Sequence, residues 1–236
     1  MSERFFIPSP PVGGRVVLTA DEARHLIRVL RARVGDDVVV FAGEGVEWPA
    51  RVTRLARDEA ELETGAARQD PPLVSPSLSI AVALPKGERQ KWLVEKLTEL
   101  GVAQLIPLET ERGVAEATPA ARERLRRGVI EACKQCGRNT LMAIGEPRTV
   151  AAVLADMPSG SSAVIADPGG PPLDPRGLAA GATNLLALVG PEGGFTAAEI
   201  AAAEQVSAIR VSLGPHILRI ETAAIALAAR LAQARF

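Results

Sequence analysis

Residues 211–230, VSLGPHILRIETAAIALAAR, form the stretch on which the reading of this chain turns. Ile209, Val211 and Leu213 alternate with Arg210 and Ser212, the two-residue period of a strand. Gly214-Pro215 breaks the chain, and from about Ala223 the sequence becomes an alanine-rich helix. Between strand and helix, His216, Arg219, Glu221 and Thr222 are expected in a short, mostly apolar loop. Polar groups on a tight strand-to-helix connection of an α/β protein lie where ligands usually bind. A plain connection carrying a solvated Arg–Glu pair fits the same spacing.

A second stretch weighs against the plain connection. LLALVGPEGG, residues 185–194, is an apolar run entering a Pro/Gly turn. Thr196 and Glu199 then have capping-box spacing, and Phe195 with Ile200 the spacing of a hydrophobic staple, which predicts a helix starting near Ala197. The glycines before it let a ligand approach the backbone closely. Neither G-x-G-x-x-G nor G-x-x-x-x-G-K-[ST] can be read here, so the turn is no dinucleotide or P-loop fingerprint.

Working outward, residues 78–84, 102–108, 141–144, 163–166, 185–189 and 209–213 read as strands separated by helical or Gly/Pro-rich pieces. That alternation predicts an α/β unit with a parallel sheet covered on both faces. The first helix spans 88–100, with Leu93, Leu97 and Leu100 inward and Gly101 as its stop. A second opens at Thr118-Pro119 and closes at Gly137. Its Arg122, Arg124, Arg126, Arg127 and Lys134 form the most basic patch of the chain. QDPPLVSPS, residues 69–77, reads as a linker.

Residues before the linker read as a small β-rich domain with strands at 37–42, 47–55 and 59–63 and a hairpin turn at Gly43-Glu44-Gly45. Residues 20–33 read as an amphipathic helix: Ala23, Leu26, Ile27 and Leu30 on one side, Arg24, Arg28 and Arg31 on the other. An arginine stripe is usually a solvated face.

Composition sets bounds. The 236 residues suffice for one large domain or two modest ones, and 47% hydrophobic residues support a core. Aromatics are only 3% and alanine is abundant, so that core should be tight rather than bulky. A net charge of −1 argues against a generic nucleic-acid coater, so any nucleic-acid contact must come from local patches. Met1-Ser2-Glu3-Arg4 starts no signal peptide and no apolar run reaches a membrane span, so a cytosolic protein is expected. Cys133 and Cys136 have C-x-x-C spacing, but without further ligands they read as structural thiols and no metal is expected.

LVGPEGGF and LGPHILRIETA resemble the bacterial 16S ribosomal RNA uridine-N3 methyltransferases, the small-subunit methyltransferase E family of the SPOUT superfamily. The resemblance continues in EACKQCGRN (131–139), KGERQKWLVEKLTELGV (86–102) and RHLIRVLRARVGD (24–36), spanning nearly the whole chain in order. Two positions depart from it: His216 stands where the family more often has arginine, and TERGVA (110–115) lacks the lysine that usually follows.

The resemblance implies an N-terminal PUA-like β-barrel, residues 1–70, that grips RNA, and a C-terminal SPOUT domain, residues 74–236, with a trefoil knot. The knot would set 166–170, 189–194 and 213–222 side by side around S-adenosyl-L-methionine. Leu188, Gly190, Pro191, Glu192, Gly193, Gly194, Leu213, Gly214, Leu218 and Thr222 would hold it. Arg219 and Glu221 become the candidate catalytic pair for methylating N3 of a uridine in 16S rRNA. Arg4, Arg28, Arg31, Lys86 and Arg138 become candidate RNA contacts, and a homodimer through the C-terminal domain is implied. Two alternatives stand beside this reading: a non-enzymatic ribosome-assembly factor with a vestigial pocket, and an α/β enzyme using a phosphorylated nucleotide at Gly190.

Overall fold

The alternating pattern of residues 37–64 becomes an antiparallel ladder, and the continuous apolar runs after residue 77 become a buried parallel sheet. A computed structural model of the protein describes residues 3–71 and 75–234. The chain divides into two units, Met1–Pro72 with Cys133–Leu141, and Leu73–Ala132 with Met142–Phe236.

The first unit contains β1 (Arg4–Phe6), β2 (Arg15–Thr19), α1 (Ala20–Arg24), β3 (Asp37–Phe41), β4 (Val46–Leu55), β5 (Glu59–Thr64) and β6 (Arg68–Gln69). Its mixed sheet runs β1-β3-β4-β5-β2 with β6 on β4; β1 and β3 are parallel and the remaining pairs antiparallel. Gly43 and Gly45 make the β3–β4 turn at φ +87° and +82°, a region that glycine enters without steric cost. The inward residues Phe5, Leu18, Leu26, Val40, Val52 and Leu62 are all at most 2% exposed and form the core of the unit.

The helix expected over 20–33 is shorter. α1 passes into a π-helical turn, His25–Val29, and Arg31 reverses the chain at φ +53°. The Ala32 N–H then bonds the Leu26 carbonyl at 3.1 Å, closing the helix end. Arg31 is therefore off the helix, and the arginine stripe reduces to Arg24 and Arg28.

Residues 133–141 join this unit through paired backbone and side-chain bonds. Gly45 N–H donates to the Asn139 carbonyl at 3.1 Å, and Leu141 N–H to the Gly43 carbonyl at 3.0 Å. The Asn139 amide, 3% exposed, donates to Asp70 at 2.6 Å and to Glu47 at 3.3 Å. Cys133 is buried, its thiol donating to the Thr140 carbonyl at 3.8 Å, and Cys136 is exposed; neither forms a disulfide.

The second unit contains β7 (Ser77–Val82), α2 (Arg89–Glu99), β8 (Gln104–Glu109), most of α3 (Pro119–Cys136), β9 (Ala143–Ile144), β10 (Arg148–Thr149), α4 (Val150–Ala155), β11 (Ser161–Ala166), α5 (Pro175–Ala179), β12 (Asn184–Val189), α6 (Ala197–Gln205), β13 (Ile209–Val211) and α7 (Ile220–Gln233). Its seven strands run β10-β8-β7-β12-β11-β13 with β9 on β8, and every pairing is parallel. β7, β11 and β12 lie inside the sheet, which is why they read as unbroken Val/Ile/Leu/Ala runs. From the edge strand β13 the chain returns to pack α7 on α2, β7 and β12. Ala224, Leu227, Ala228 and Leu231 make its inward face, each 0% exposed.

Two boundaries in residues 211–230 differ from expectation. β13 ends at Val211, leaving Leu213 in the following loop. α7 begins at Ile220, not near Ala223, because Arg219 is extended (ψ 155°) as N-cap and its carbonyl accepts the Ala223 N–H at 2.8 Å. Glu221 and Thr222 thus belong to the first helical turn, where an acid is favoured by the helix dipole. No helix among the described residues is long and apolar enough to cross a membrane.

Candidate active site

The C-terminal ends of β11, β12 and β13 open onto one cleft of about 390 Å³, within the usual range of small-molecule pockets. Residues 166–168, 189–195, 211–214 and 216–218, with Ile220 and Ala223, line it. These are the ends of three strands and the residues that follow them, the position where open parallel sheets bind ligands. The three segments expected side by side do converge here.

The turn after β12 is built to stay open. Gly194 adopts φ +70° and its N–H bonds the Pro191 carbonyl at 2.8 Å. The Thr196 hydroxyl accepts the Glu199 N–H at 3.3 Å and Glu199 Oε2 accepts the Thr196 N–H at 2.7 Å, completing the capping box of α6. Phe195, 8% exposed, joins the core, and Ile200 packs against the same cluster. A Cβ on Gly190 would lie 3.0 Å from the Phe195 ring. A side chain at 190 would therefore press on the Phe195 ring beneath the turn as well as on any ligand above it.

The neighbouring wall is stitched more tightly. Asp167 N–H bonds the Val211 carbonyl at 2.9 Å, and Ser212 N–H the Pro171 carbonyl at 2.7 Å. Arg210 Nε donates to Asp167 Oδ2 at 3.0 Å, and this bond with the carboxylate charge raises the guanidinium above its ordinary range. A Cβ on Gly170 would lie 2.7 Å from the Val211 nitrogen, so the two strand exits touch backbone to backbone.

Of the residues expected to hold a cofactor, Gly190, Pro191, Glu192, Gly193, Gly194, Leu213, Gly214 and Leu218 line the cleft. Leu188 does not: it is fully buried in the core under the turn, because the alternation of β12 turns it away. Thr222 is exposed on the first turn of α7, beyond the lining. His216 lines the cleft, as do Asp167 and Phe195, which sequence reasoning had not singled out as ligand residues.

Arg219 and Glu221 do not share a loop as expected. Arg219 is exposed at the N-cap, whereas Glu221 is 4% exposed inside the helix. The cation nearest Glu221 is Arg89, whose Nη1 lies 3.6 Å from Glu221 Oε2 and donates to Glu192 Oε1 at 3.2 Å. The available sequence signal for Arg89 was a cation in the first turn of α2, where the helix dipole disfavours one. Arg112 was also missed; its Nη1 donates to the Gly193 carbonyl at 2.7 Å.

The candidate RNA contacts fall in varied surroundings. Arg28 and Arg31 are exposed, and Arg28 pairs with Asp58 at 3.1 Å. Lys86 is exposed in the β7–α2 connection. Arg4 is turned inward, donating to Glu47 at 2.7 Å and to Asn139, with its guanidinium 5.1 Å from the Phe41 ring centre. Arg138 is half-buried, and burial pushes its guanidinium below the usual range.

A parallel α/β unit with a glycine-walled cleft at its strand ends, in a chain that also carries a small mixed-sheet unit, defines an RNA methyltransferase: the model of an RNA methyltransferase domain matches residues 74–232, and that of an RNA methyltransferase PUA domain residues 18–64. The chain belongs to the ribosomal RNA small subunit methyltransferase E family. It is 33% identical to that enzyme of Synechocystis over 92% of this chain and 72% of the relative. The crystal structure of a ribosomal RNA small subunit methyltransferase E from Neisseria gonorrhoeae bound to S-adenosyl methionine matches with TM-score 0.88 and 30% identity, covering 99% of this chain and 98% of that one. A putative methyltransferase from Legionella pneumophila, in complex with bound SAM, matches with TM-score 0.89 and 26% identity over 99% and 98% of the two chains.

Proposed function

We propose that the protein is an S-adenosyl-L-methionine-dependent methyltransferase that methylates N3 of a uridine in 16S ribosomal RNA of the small subunit. The observation that carries this reading is the cleft itself. Its lining residues include the carboxylates of Asp167 and Glu192 and no lysine or arginine. Arg210 and Arg89 neutralise these carboxylates from outside the lining, so the walls are close to neutral, and with no cation facing the cleft they suit an uncharged adenosine bearing a sulfonium better than a phosphorylated nucleotide. Bound there, the cofactor supplies an electrophilic methyl group.

The chain's own residues supply the remainder. Backbone groups of 190–194 and 211–214 pair with the adenine edge, and a wrong base would leave them unsatisfied. Leu213 and Leu218 wall the adenine. Losing the uridine N3 proton shifts negative charge onto the flanking carbonyl oxygens. Arg219, exposed at the cleft rim, donates to those oxygens. Glu221, buried in the first turn of α7, orients the site in preference to taking the proton, and His216 on the cleft wall competes as proton acceptor.

The reading extends to the whole chain. Residues 1–70 act as the RNA-gripping domain, with Arg28 and Arg31 toward phosphates together with Arg138 and Lys86, while Arg4, paired with Glu47 and Asn139, braces the fold, and residues 74–236 act as the catalytic domain. The knotted threading is what the family resemblance implies; the bridge between Pro172 and Ser212 sets the segment after β13 against the 167–173 loop. Two copies pair through the C-terminal domain, using the small half-buried residues Ala223, Ala226, Ala229 and Ala232 of α7. The site of action is the cytoplasm, where ribosomal subunits are found. Mass spectrometry of rRNA nucleosides from cells with and without the gene tests the function. Loss of 3-methyluridine from small-subunit RNA is expected, and an unchanged nucleoside profile would sink the proposal.

A further inference from the structure

Arg89 belongs to none of the glycine-rich segments that build the cleft, yet it joins two of the cleft's acidic neighbours. Its Nη1 lies 3.2 Å from Oε1 of Glu192, on the turn after β12, and 3.6 Å from Oε2 of Glu221, in the first turn of α7. Glu192 is half-exposed, whereas the Glu221 side chain is 5% exposed and its Oε2 has no hydrogen-bond donor among the described residues. A buried carboxylate with no hydrogen bond is costly unless a cation stays close. The distances therefore describe one positive charge held between two anions, hydrogen-bonded to the accessible one and within Coulombic reach of the buried one.

We infer that Arg89 is a positioning residue for methyl transfer: it ties the Glu192 turn to the start of α7 and so fixes the aim of Arg219, the N-cap two residues before Glu221. This rests on the proposed methyltransferase reading. Without the cation, Glu192 and Glu221 would repel each other and the buried Glu221 would be uncompensated. The turn keeps its own Gly194–Pro191 bond, so the helix N-terminus would rotate away from it, carrying the Arg219 backbone with it. Arg89 is absent from the cleft lining, so its removal should spare ligand binding and act on turnover. Because a single nitrogen reaches both carboxylates, the role needs a point charge rather than the planar guanidinium fork, and lysine should serve in part.

The test compares wild type, Arg89→Ala, Arg89→Lys, Glu221→Gln and the double variant Arg89→Ala/Glu221→Gln. The readouts are cofactor affinity by calorimetry without RNA, and kcat and KM for small-subunit RNA. A displacement of about 1 Å can cost on the order of 10²-fold in rate. Arg89→Ala should therefore lose about 10- to 100-fold in kcat with both binding constants within about threefold, and Arg89→Lys should recover most of that loss. The double variant removes the uncompensated charge, so it should fold even if Arg89→Ala does not. It should be no slower than Glu221→Gln alone. An unimpaired kcat in Arg89→Ala, a loss confined to cofactor affinity, a lysine variant as slow as alanine, or a double variant slower than Glu221→Gln would each overturn the inference. Wild-type protein that transfers no methyl group to rRNA overturns the proposed reaction and this inference together, whereas an active wild type with an unimpaired Arg89→Ala overturns only the latter.

Discussion

The Arg112 guanidinium donates to the Gly193 carbonyl at 2.7 Å, tying the connection after β8 to the mouth of the cleft. Beside it, Glu111 N–H donates to Glu199 Oε1 at 3.2 Å, so the acid that caps α6 also holds this connection. A net contribution of about 1 kcal/mol is typical of such a bond when exposed. Arg112→Ala should thus cost up to about 1 kcal/mol of stability, and loosening the turn should weaken cofactor binding by up to about fivefold. Calorimetry checks this, and an unchanged affinity would mean that the turn is held by its own Gly194–Pro191 bond and the capping box.

Gly170 and Gly193 should differ sharply in tolerance. A Cβ at Gly170 meets the Val211 nitrogen at 2.7 Å and the Arg210 carbonyl carbon at 2.9 Å, backbone atoms that can move only with β13. The nearest atoms to a Cβ at Gly193 belong to the flexible Arg112 side chain, the first at 3.3 Å. Overpacking against fixed atoms costs about 1–3 kcal/mol. Urea denaturation should show Gly170→Ala destabilised by about that amount and Gly193→Ala much less affected. Equal midpoints would show that the 167–173 loop yields.

Glu47 makes the first unit acid-sensitive. Burial pushes its carboxyl up, but hydrogen bonds from Arg4 and Asn139 and the charges of Arg4 and Arg68 outweigh this, leaving it below its ordinary value of 4.5. A depressed acid contributes stability that is fully present above the unfolded value and lost as pH falls through the folded one. Urea midpoints of wild type should therefore drop as pH goes below 4.5, and those of Glu47→Gln should drop less. Parallel curves for the two proteins would assign the acid transition elsewhere.

Arg28 and Arg31 are exposed, and the Arg28–Asp58 pair is too solvated to hold its side chain firmly. If they bind RNA phosphates, neutralising either should lower RNA affinity and reduce the salt slope by about one, with turnover at saturating RNA unchanged. Affinity and slope both untouched in Arg28→Ala and Arg31→Ala would leave these side chains as solvated surface.

Arg219→Ala should cut methyl transfer about 10²- to 10³-fold, the usual consequence of losing one preorganised donor, with cofactor affinity within a fewfold. Arg219→Lys should rescue poorly, because an ammonium cannot span two carbonyl oxygens. Lysine therefore separates the two arginines: it serves at Arg89 and fails at Arg219. Loss of binding together with rate would place Arg219 in the cofactor pocket. His216→Asn and Glu221→Gln, measured in the same assay, assign the proton acceptor to whichever variant loses activity.

What the sequence settled by itself was local or periodic. The Thr196/Glu199 box lies within four residues, and its two hydrogen bonds form as the spacing requires. The glycine stops at 101 and 137 take φ +73° and +80°, and the inner strands read as apolar because both faces are covered. The convergence of 166–168, 189–195 and 211–218 followed from matching motifs to a family, since no periodicity encodes the order β12-β11-β13. Tertiary structure alone decided which charges meet. Arg89 reaches Glu192 across 103 residues of sequence, and it, not Arg219, faces Glu221. Whether Glu221 was a loop carboxylate or a buried helical one depended on where the Arg219 cap placed the start of α7. Packing of α7 on α2 and the sheet fixes that start, and with it the depth of Glu221. Spacing specifies which residues can share a face, but burial and ion pairing depend on what the rest of the chain brings against that face.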